Sequence, residues 1–292
     1  MPSGLWVVAT PLGNLGDVTP RAITALSEAA VILCEDTRRT LNLLRALEIH
    51  ERPHLERLDA HATPQQIDSV IERLKQGGNF ALVSDAGTPG ISDPGAKVVA
   101  AAHAAGICVT PVPGVSAVAT LLSVSGLEGS SFAFLGFFPR ALREKRELME
   151  KLETHTAITV AIWFESPRRI LESLGCIAER WPAARLVVGK EMTKLHEKFF
   201  VGPATQVHTA IVQETQETGE IGEWCFSVEL PHVESEAASD SSGWVKALEC
   251  LLSAGVSVSE SARLIGQHFG APSDPSRKEV YERALRLSEK KS

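Results

Sequence analysis

A chain of 292 residues with 29 Lys and Arg against 36 Asp and Glu carries a formal net charge of −7, which excludes indiscriminate coating of nucleic acid while leaving room for a local basic face. A hydrophobic share of 44% supplies a substantial core, and no apolar run nears the roughly 18–20 residues that cross a bilayer. Met1–Trp6 lacks the basic-then-apolar pattern of a secretory leader, so the expectation is a cytoplasmic enzyme of two globular units with a small appendage.

Leu5–Thr10 reads as an apolar strand, and Thr19 followed by Pro20 marks a capped helix start. Val31–Cys34 is a second strand, followed by a helix with Leu41, Leu44 and Leu47 on one side. Thr63-Pro64 and Asp93-Pro94 repeat the cap-and-proline device before helices over 64–76 and 94–105, with Phe80–Val83 a buried strand between them. Ile107–Val112 is a further strand ending at Pro113-Gly114. This βαβα rhythm predicts a mainly parallel sheet with helices on both faces.

The second half continues with a small-residue helix over 116–124, a strand at Phe132–Leu135, a charged helix over 143–153 and the apolar run Ala157–Phe164. A helix from Pro167 and strands at Leu186–Gly189, Phe199–Val201 and Trp224–Leu230 make this half mixed α/β. Val233–Ser242 has no periodicity and reads as a linker. Three short helices follow over 243–253, 259–269 and 275–289, with Ser257 and Glu260 spaced as a capping box. The predicted domains are therefore 1–113 and 114–232, both α/β, then the linker 233–242 and a small helical domain 243–292.

If the sheets are parallel, ligands sit beyond the carboxyl ends of the strands. Four unusual loops fall there: Pro11–Asp17, Ser84–Gly95, Pro113–Ala117 and Phe164–Arg169. The second opens with Asp85 and is far longer and richer in carboxylate and glycine than a bland connection of about 2–6 residues requires. There is no G-x-G-x-x-G after the first strand, no P-loop, no H-E-x-x-H, no paired C-x-x-C and no G-x-S-x-G. The nine histidines show no metal-ligand spacing, and the five cysteines, mostly set in apolar runs, read as reduced core residues.

These loops, in this order, resemble the tetrapyrrole-methylase superfamily of S-adenosylmethionine enzymes. More closely, the chain resembles the bacterial ribosomal RNA small-subunit methyltransferase I family, which 2′-O-methylates a decoding-centre cytidine. The likeness runs through Val8–Leu15, Glu35–Arg38, Ala81–Pro94, Pro113–Ala117, Ser125–Leu127, Gly136–Pro139, Phe164–Arg169, Glu191–Lys194, Gly222-Glu223 and Lys278–Tyr281. It implies a two-domain tetrapyrrole-methylase-like α/β fold with a small C-terminal helical domain, the methyl donor S-adenosylmethionine lying in the cleft that the second α/β domain completes. By the same resemblance the donor is held by Leu12, Asp85, Ala86, Gly87, Thr88, Ser116, Ala117, Phe164, Glu165 and Met192. No metal is implied.

A ribose hydroxyl is a poor nucleophile until its proton is removed or polarised, so a base or cation is expected near the methyl group. Candidates are Glu35, Asp36, His61, Glu165 and Lys194, with Arg38 as a further catalytic or phosphate-holding residue. Glu35, Asp36 and Arg38 equally suit a structural ion pair at the following helix, His61 equally suits a solvated surface, and Lys194, read first as an RNA contact, also suits a solvated charge. His61-Ala62-Thr63 stands where the family often has His-Asn-Glu, and Lys190 replaces a commoner arginine. RNA contacts are expected from Arg38, Arg39, Arg140, Arg143, Arg168 and Lys194. Basic clusters also include Lys145, Arg146, Lys190 and Lys198, and Arg283, Arg286, Lys290 and Lys291 near the end. The 140–146 group follows Phe137-Phe138-Pro139, and stacking plus phosphate contact suits unpaired RNA. The expected partners are the small ribosomal subunit or its rRNA and a second copy in a homodimer, with no membrane. A methyltransferase for a tetrapyrrole or other small acceptor, and a ribosome-assembly module that keeps the donor site but contributes mainly by docking, stand beside this reading.

Overall fold

The computed structural model describes residues 2–50, 53–59, 62–91, 95–127, 131–154, 157–231, 243–268 and 277–289. The chain divides into two compact units, Met1–Pro231 and His232–Ser292.

The first unit opens with a five-stranded, all-parallel sheet in the order β3-β2-β4-β1-β5. Its strands are β1 Gly4–Val8, β2 Val31–Cys34, β3 His54–Arg57, β4 Asn79–Leu82 and β5 Val109–Val112. The helices between them are α1 Pro20–Glu28, α2 Thr37–Ala46, α3 Pro64–Lys75 and α4 Ala96–Ala104. Alternation along β1 sends Trp6 and Val8 to the face covered by α1 and α2, and Leu5 to the face covered by α3 and α4. Thr19 caps α1 and Thr63 caps α3 in a full capping box with Gln66, each ahead of a proline in the first turn. Asp93-Pro94 lies outside the described residues, and α4 starts behind Gly95. The strand β3 escapes a periodicity reading because its sequence, His-Leu-Glu-Arg, is only half-buried at the sheet edge.

A second five-stranded sheet follows, in the order β6-β7-β10-β8-β9. It is built of β6 Phe132–Phe137, β7 Val160–Glu165, β8 Arg185–Lys190, β9 Lys198–Pro203 and β10 Trp224–Glu229, and it is mixed. The β6–β7 pair is parallel, while β10 runs antiparallel to both β7 and β8, and β9 antiparallel to β8. One face packs on α6 Leu142–Thr154, α7 Ile170–Arg180 and α8 Ala204–Thr218, the other on α5 Ala117–Ser125. The helix expected from Pro167 begins only at Ile170, because the Arg169 and Ile170 amides both close back onto the Ser166 carbonyl in a turn (3.0 and 3.1 Å).

The second unit holds α9 Gly243–Ser253, α10 Val258–His268 and α11 Arg277–Glu289 around Leu248, Ala262, Ile265, Val280 and Ala284. The Glu260 amide donates to Ser257 Oγ at 3.3 Å, half of the expected capping box, while the Glu260 carboxylate takes Arg263. The linker 233–242 lies outside the described residues. Cys34 and Cys225 are buried, whereas Cys108 and Cys250 are exposed, so the core reading of the cysteines holds for only part of the set. No helix among the described residues is long and apolar enough to cross a membrane.

Candidate functional site

The strands β1 and β4 are neighbours, yet the helices that follow them cover opposite faces of the sheet. Their loops therefore part at the carboxyl edge and open a crevice there. The two loops are clasped at its base: the Thr10 and Gly87 amides donate to each other's carbonyls at 2.9 and 3.0 Å, and Thr10 Oγ1 donates to the Ser84 carbonyl at 3.1 Å. Gly87 has φ +82°, a left-handed backbone that calls for glycine, and a Cβ at this position would also sit 3.2 Å from Leu12 Cδ2. Thr88 Oγ1 donates to the Val115 carbonyl at 2.9 Å and ties the loop after β5 into the same frame.

Asp85 stands at the centre. Its amide donates to Glu35 Oε1 (3.1 Å) and its Oδ2 accepts from Arg39 Nη1 (2.9 Å). Its Oδ1 is buried and has no hydrogen-bond partner among the described residues. A buried carboxylate oxygen left open in this way marks a place where a ligand donor belongs. Asp36, by contrast, caps α2 by accepting from the Arg38 and Arg39 amides (2.8 and 3.4 Å). The side-chain and backbone hydrogen bonds from Arg38 hold its carboxyl below the usual carboxylate range.

The second sheet presents to this crevice the ends of β6, β7 and β8 and, because β10 is antiparallel, its beginning. Glu165 is almost wholly buried and already shared: Oε2 accepts from Ser173 Oγ (2.6 Å) and pairs with Arg169 (3.1 Å), while Oε1 accepts from the Ser166 amide (2.7 Å). Arg169 also donates to the Phe138 and Pro139 carbonyls, both at 2.7 Å, which locks the ends of β6 and β7 together. Beyond β8, Glu191 (φ 51°) and Thr193 (φ 67°) adopt left-handed backbone on either side of Met192, which turns inward to 8% exposure. Non-glycine residues held in this region gather at functional loops. The loop is pinned to the turn before β10, since Glu191 and Glu223 exchange hydrogen bonds at 2.9 and 2.7 Å.

Lys194 lies along Gly13 and pairs with Glu191 (3.0 Å) and Glu223 (3.1 Å). Burial works against its charge, but the hydrogen bonds to Glu191 and Glu223 outweigh burial and raise its pKa above the ordinary lysine value. It is a fixed cation, not a base. Glu191 is held below the carboxylate range in return, burial being overcome by the Glu223 amide and by Lys194.

Together these elements enclose a cavity of about 400 Å³. Of the residues singled out in the sequence, it brings together Leu12, Glu35, Arg39, Asp85, Ala86, Ala117, Phe164, Glu165 and Met192. Gly87 and Thr88 stand behind the wall and hold it, and Ser116 is the N-cap of α5. Arg38, Arg140, Arg143 and Arg168 lie outside the lining on the exposed surface, and His61 lies outside the described residues. Two members of the expected basic clusters are not on the surface. Lys145 is fully buried against Glu172 (2.5 Å), and Lys190 is buried against Glu214 (2.7 Å) and Thr218 (2.7 Å), its ammonium 5.1 Å from the Trp224 ring centre. The lining also takes Phe137 from the aromatic run, Ser166 and Pro167 from the fourth loop and Gly222 and Glu223 from the family likeness, and it adds Trp224 and Cys225, which the sequence marks only as strand residues. For the β10 group the one local signal is the Gly222 turn, φ +94°, since only the antiparallel pairing carries the strand start to this edge. Among the described residues no three His, Cys, Asp or Glu side chains gather where they could hold a metal ion.

The sequence profile of the Tetrapyrrole (Corrin/Porphyrin) Methylases matches residues 4–208. The chain is similar to "Ribosomal RNA small subunit methyltransferase I" of Xylella fastidiosa, 40% identical over 272 residues that cover 93% of this chain and 96% of the relative. To the Synechocystis protein of the same name it is 36% identical over 97% of this chain and 98% of the relative. The Thermotoga maritima protein of that name is 42% identical over 202 residues, 69% of this chain and 89% of the relative. In fold it resembles the crystal structures of Thermus thermophilus uroporphyrin-III-C-methyltransferase and of diphthine synthase. The first has TM-score 0.53 at 19% identity, over 78% of this chain and 94% of the other. The second has TM-score 0.55 at 14% identity, over 77% and 89%.

Proposed function

The chain belongs to the tetrapyrrole methylase family and, within it, to the ribosomal RNA small subunit methyltransferase I group; from that premise we propose that it transfers a methyl group from S-adenosylmethionine to the 2′-hydroxyl of a cytidine ribose in small-subunit ribosomal RNA. The observation that carries the donor site is the open Oδ1 of Asp85, buried at a cavity of ligand size. The residues present fit this donor. Asp85 offers an acceptor and a negative charge to its hydroxyl, amino or cationic groups, while Leu12, Ala86, Ala117, Phe164 and Met192 offer apolar walls. When bound, the donor supplies an electrophilic methyl on a sulfonium.

The chain's own work is alignment and proton handling. Glu35 fixes the Asp85 backbone and lines the cavity. Of the other candidate bases, Asp36 caps α2, Lys194 is held as a cation, both Glu165 oxygens take part in building the 164–169 turn, and His61 lies outside the described residues. We assign acceptance of the ribose hydroxyl proton to Glu35 because its carboxylate lines the cavity beside Asp85. Arg38, Arg140, Arg143 and Arg168 supply exposed charge for phosphates, and Arg39 and Lys194 add charge at the cavity and beside it. Glu35→Gln keeps an acceptor for the Asp85 amide, so donor affinity should hold while single-turnover transfer drops roughly 10²–10⁴-fold; transfer at the wild-type rate would remove Glu35 from this role.

The reaction itself is tested with labelled donor and small ribosomal subunits from cells that lack the modification, the product being mapped by resistance of the methylated linkage to alkali. Label on a base carbon or nitrogen, or label accepted by a porphyrinoid and not by RNA, would refute the assignment. The same reading carries a cytoplasmic setting and a homodimer, the latter checked by sedimentation.

A further inference from the structure

The strand β6 ends irregularly. Phe134 sits opposite Ile162 on β7 and Phe137 sits opposite Phe164, so three steps on β6 span two on β7. The extra residue is a β-bulge, and bulges beside active sites re-aim side chains. Gly136 accommodates it at φ +73°; nothing lies within 4 Å of the position its Cβ would take, so backbone conformation and not crowding calls for glycine.

The consequence follows from the two-residue alternation of a strand. In regular pairing position 136 would face Phe164 and Phe137 would turn to the opposite side of the sheet. With the bulge, Phe137 takes the place opposite Phe164, at the cavity, and Phe138 turns into the core, where it is 1% exposed. Phe137 remains 58% exposed while lining the cavity, its ring centre 6.0 Å from that of Phe164 at 71°, and Phe164 in turn lies 4.7 Å from Phe134. The segment cannot sag, because the Phe138 amide donates to the Phe164 carbonyl and Arg169 grips the next two carbonyls. A large apolar ring held rigidly in water at a cavity mouth is a surface built for a flat partner. Exposed Arg140 follows Phe137 by three residues and exposed Arg168 follows Glu165 by three, each just past one of the two strand ends that Arg169 joins, so cationic side chains lie along this edge for a polyanion.

We propose that Phe137 is a stacking platform for one unpaired nucleobase of the RNA substrate, which holds that nucleotide's ribose at the cavity. The inference rests on the RNA-methylation reading above and makes Phe137 a positioning residue for it. Stacking of a base on an aromatic side chain is sequence-tolerant and strong enough to be read in binding.

The test uses the full chain with Phe137→Ala, Phe137→Leu and Phe137→Trp. On small ribosomal subunits, Phe137→Ala should lower kcat/KM about 5- to 150-fold, the range expected for one lost stack. Phe137→Trp should restore it and Phe137→Leu should not, while calorimetric donor affinity stays within about twofold. A single-stranded RNA carrying one fluorescent cytosine analogue should be quenched by wild type and Phe137→Trp but not by Phe137→Ala. Equal kcat/KM for Phe137→Ala and wild type, full activity of Phe137→Leu, or loss of donor affinity in Phe137→Ala would each overturn the platform. So would a halved mass of Phe137→Ala by sedimentation, which would make the ring a contact between copies, or absence of quenching by wild type. Quenching that depends on residue 137 without methyl transfer to RNA would uphold the platform and refute the reaction, so the two can fail separately.

Discussion

Removing the Asp85 carboxylate isolates the donor contact from the stability of the fold. Its pair with Arg39 is partly exposed on both sides, 27% and 67%, and exposed pairs contribute little to stability. The Asp85→Ala protein should therefore melt within about 2–4 °C of wild type. Its donor affinity should fall on the order of 10- to 150-fold, the equivalent of one hydrogen bond to a charged group, as read by calorimetry. Affinity equal to wild type would place the donor elsewhere. Asp85 was legible in the sequence because its loop is too long and too rich in carboxylate and glycine for a plain connection. Lys145 and Lys190 were not legible: a lysine in a charged stretch looks solvated, and the partners that allow burial, Glu172 and Glu214, lie 27 and 24 residues away. Phe138 misled in the same way, since a neighbouring bulge and not its own identity decides which face it joins.

Among elements, the junction of β8, α8 and β10 positions the cavity wall. Glu214 on α8 accepts from Lys190 (2.7 Å) and Lys198 (2.6 Å), and Lys190 lies under Trp224, a lining residue. Taking one partner from a buried pair leaves an uncompensated charge, so Glu214→Ala should cost about 3–5 kcal/mol by denaturant unfolding. The pair also fixes a pH dependence. Burial alone would raise the Glu214 pKa, but Lys190 and Lys198 outweigh it and the carboxyl lies below the usual range. A depressed folded-state pKa contributes stability that is complete above the unfolded value, about 4.3, and is lost as pH falls through the folded one. In thermal melts from about pH 7 down to about pH 3, wild type should lose Tm more steeply on acidification than Glu214→Gln; parallel acid limbs would show that the pair does not discriminate between the two states. The parallel half of the fold was readable because cap, proline and apolar run recur in chain order. The mixed half was readable only as a set of strands, since the antiparallel placement of β10 between β7 and β8 depends on pairings remote in sequence.

For the whole molecule, the chain divides into two compact units after Pro231. Each unit has its own core: four clusters lie within residues 5–230, and one joins the three terminal helices. All the residues lining the cavity belong to the first unit. The second unit, residues 232–292, is below the roughly 70–80 residues at which a single core rarely supplies more than about 3–5 kcal/mol, whereas the first unit holds four core clusters of its own. Nearly all of the Thermotoga maritima relative is matched by 202 residues, a stretch shorter than the first unit alone. A chain ending at Pro231 should therefore melt cooperatively and bind donor within about threefold of the full protein, since a ligand stabilises only the unit that holds its site. The added donor should raise the Tm of both proteins alike. Comparing methyl transfer to small ribosomal subunits then separates two roles for the helices. If the shortened chain binds donor normally but transfers poorly, the helices serve RNA engagement; if donor binding is lost, the first unit is not self-sufficient.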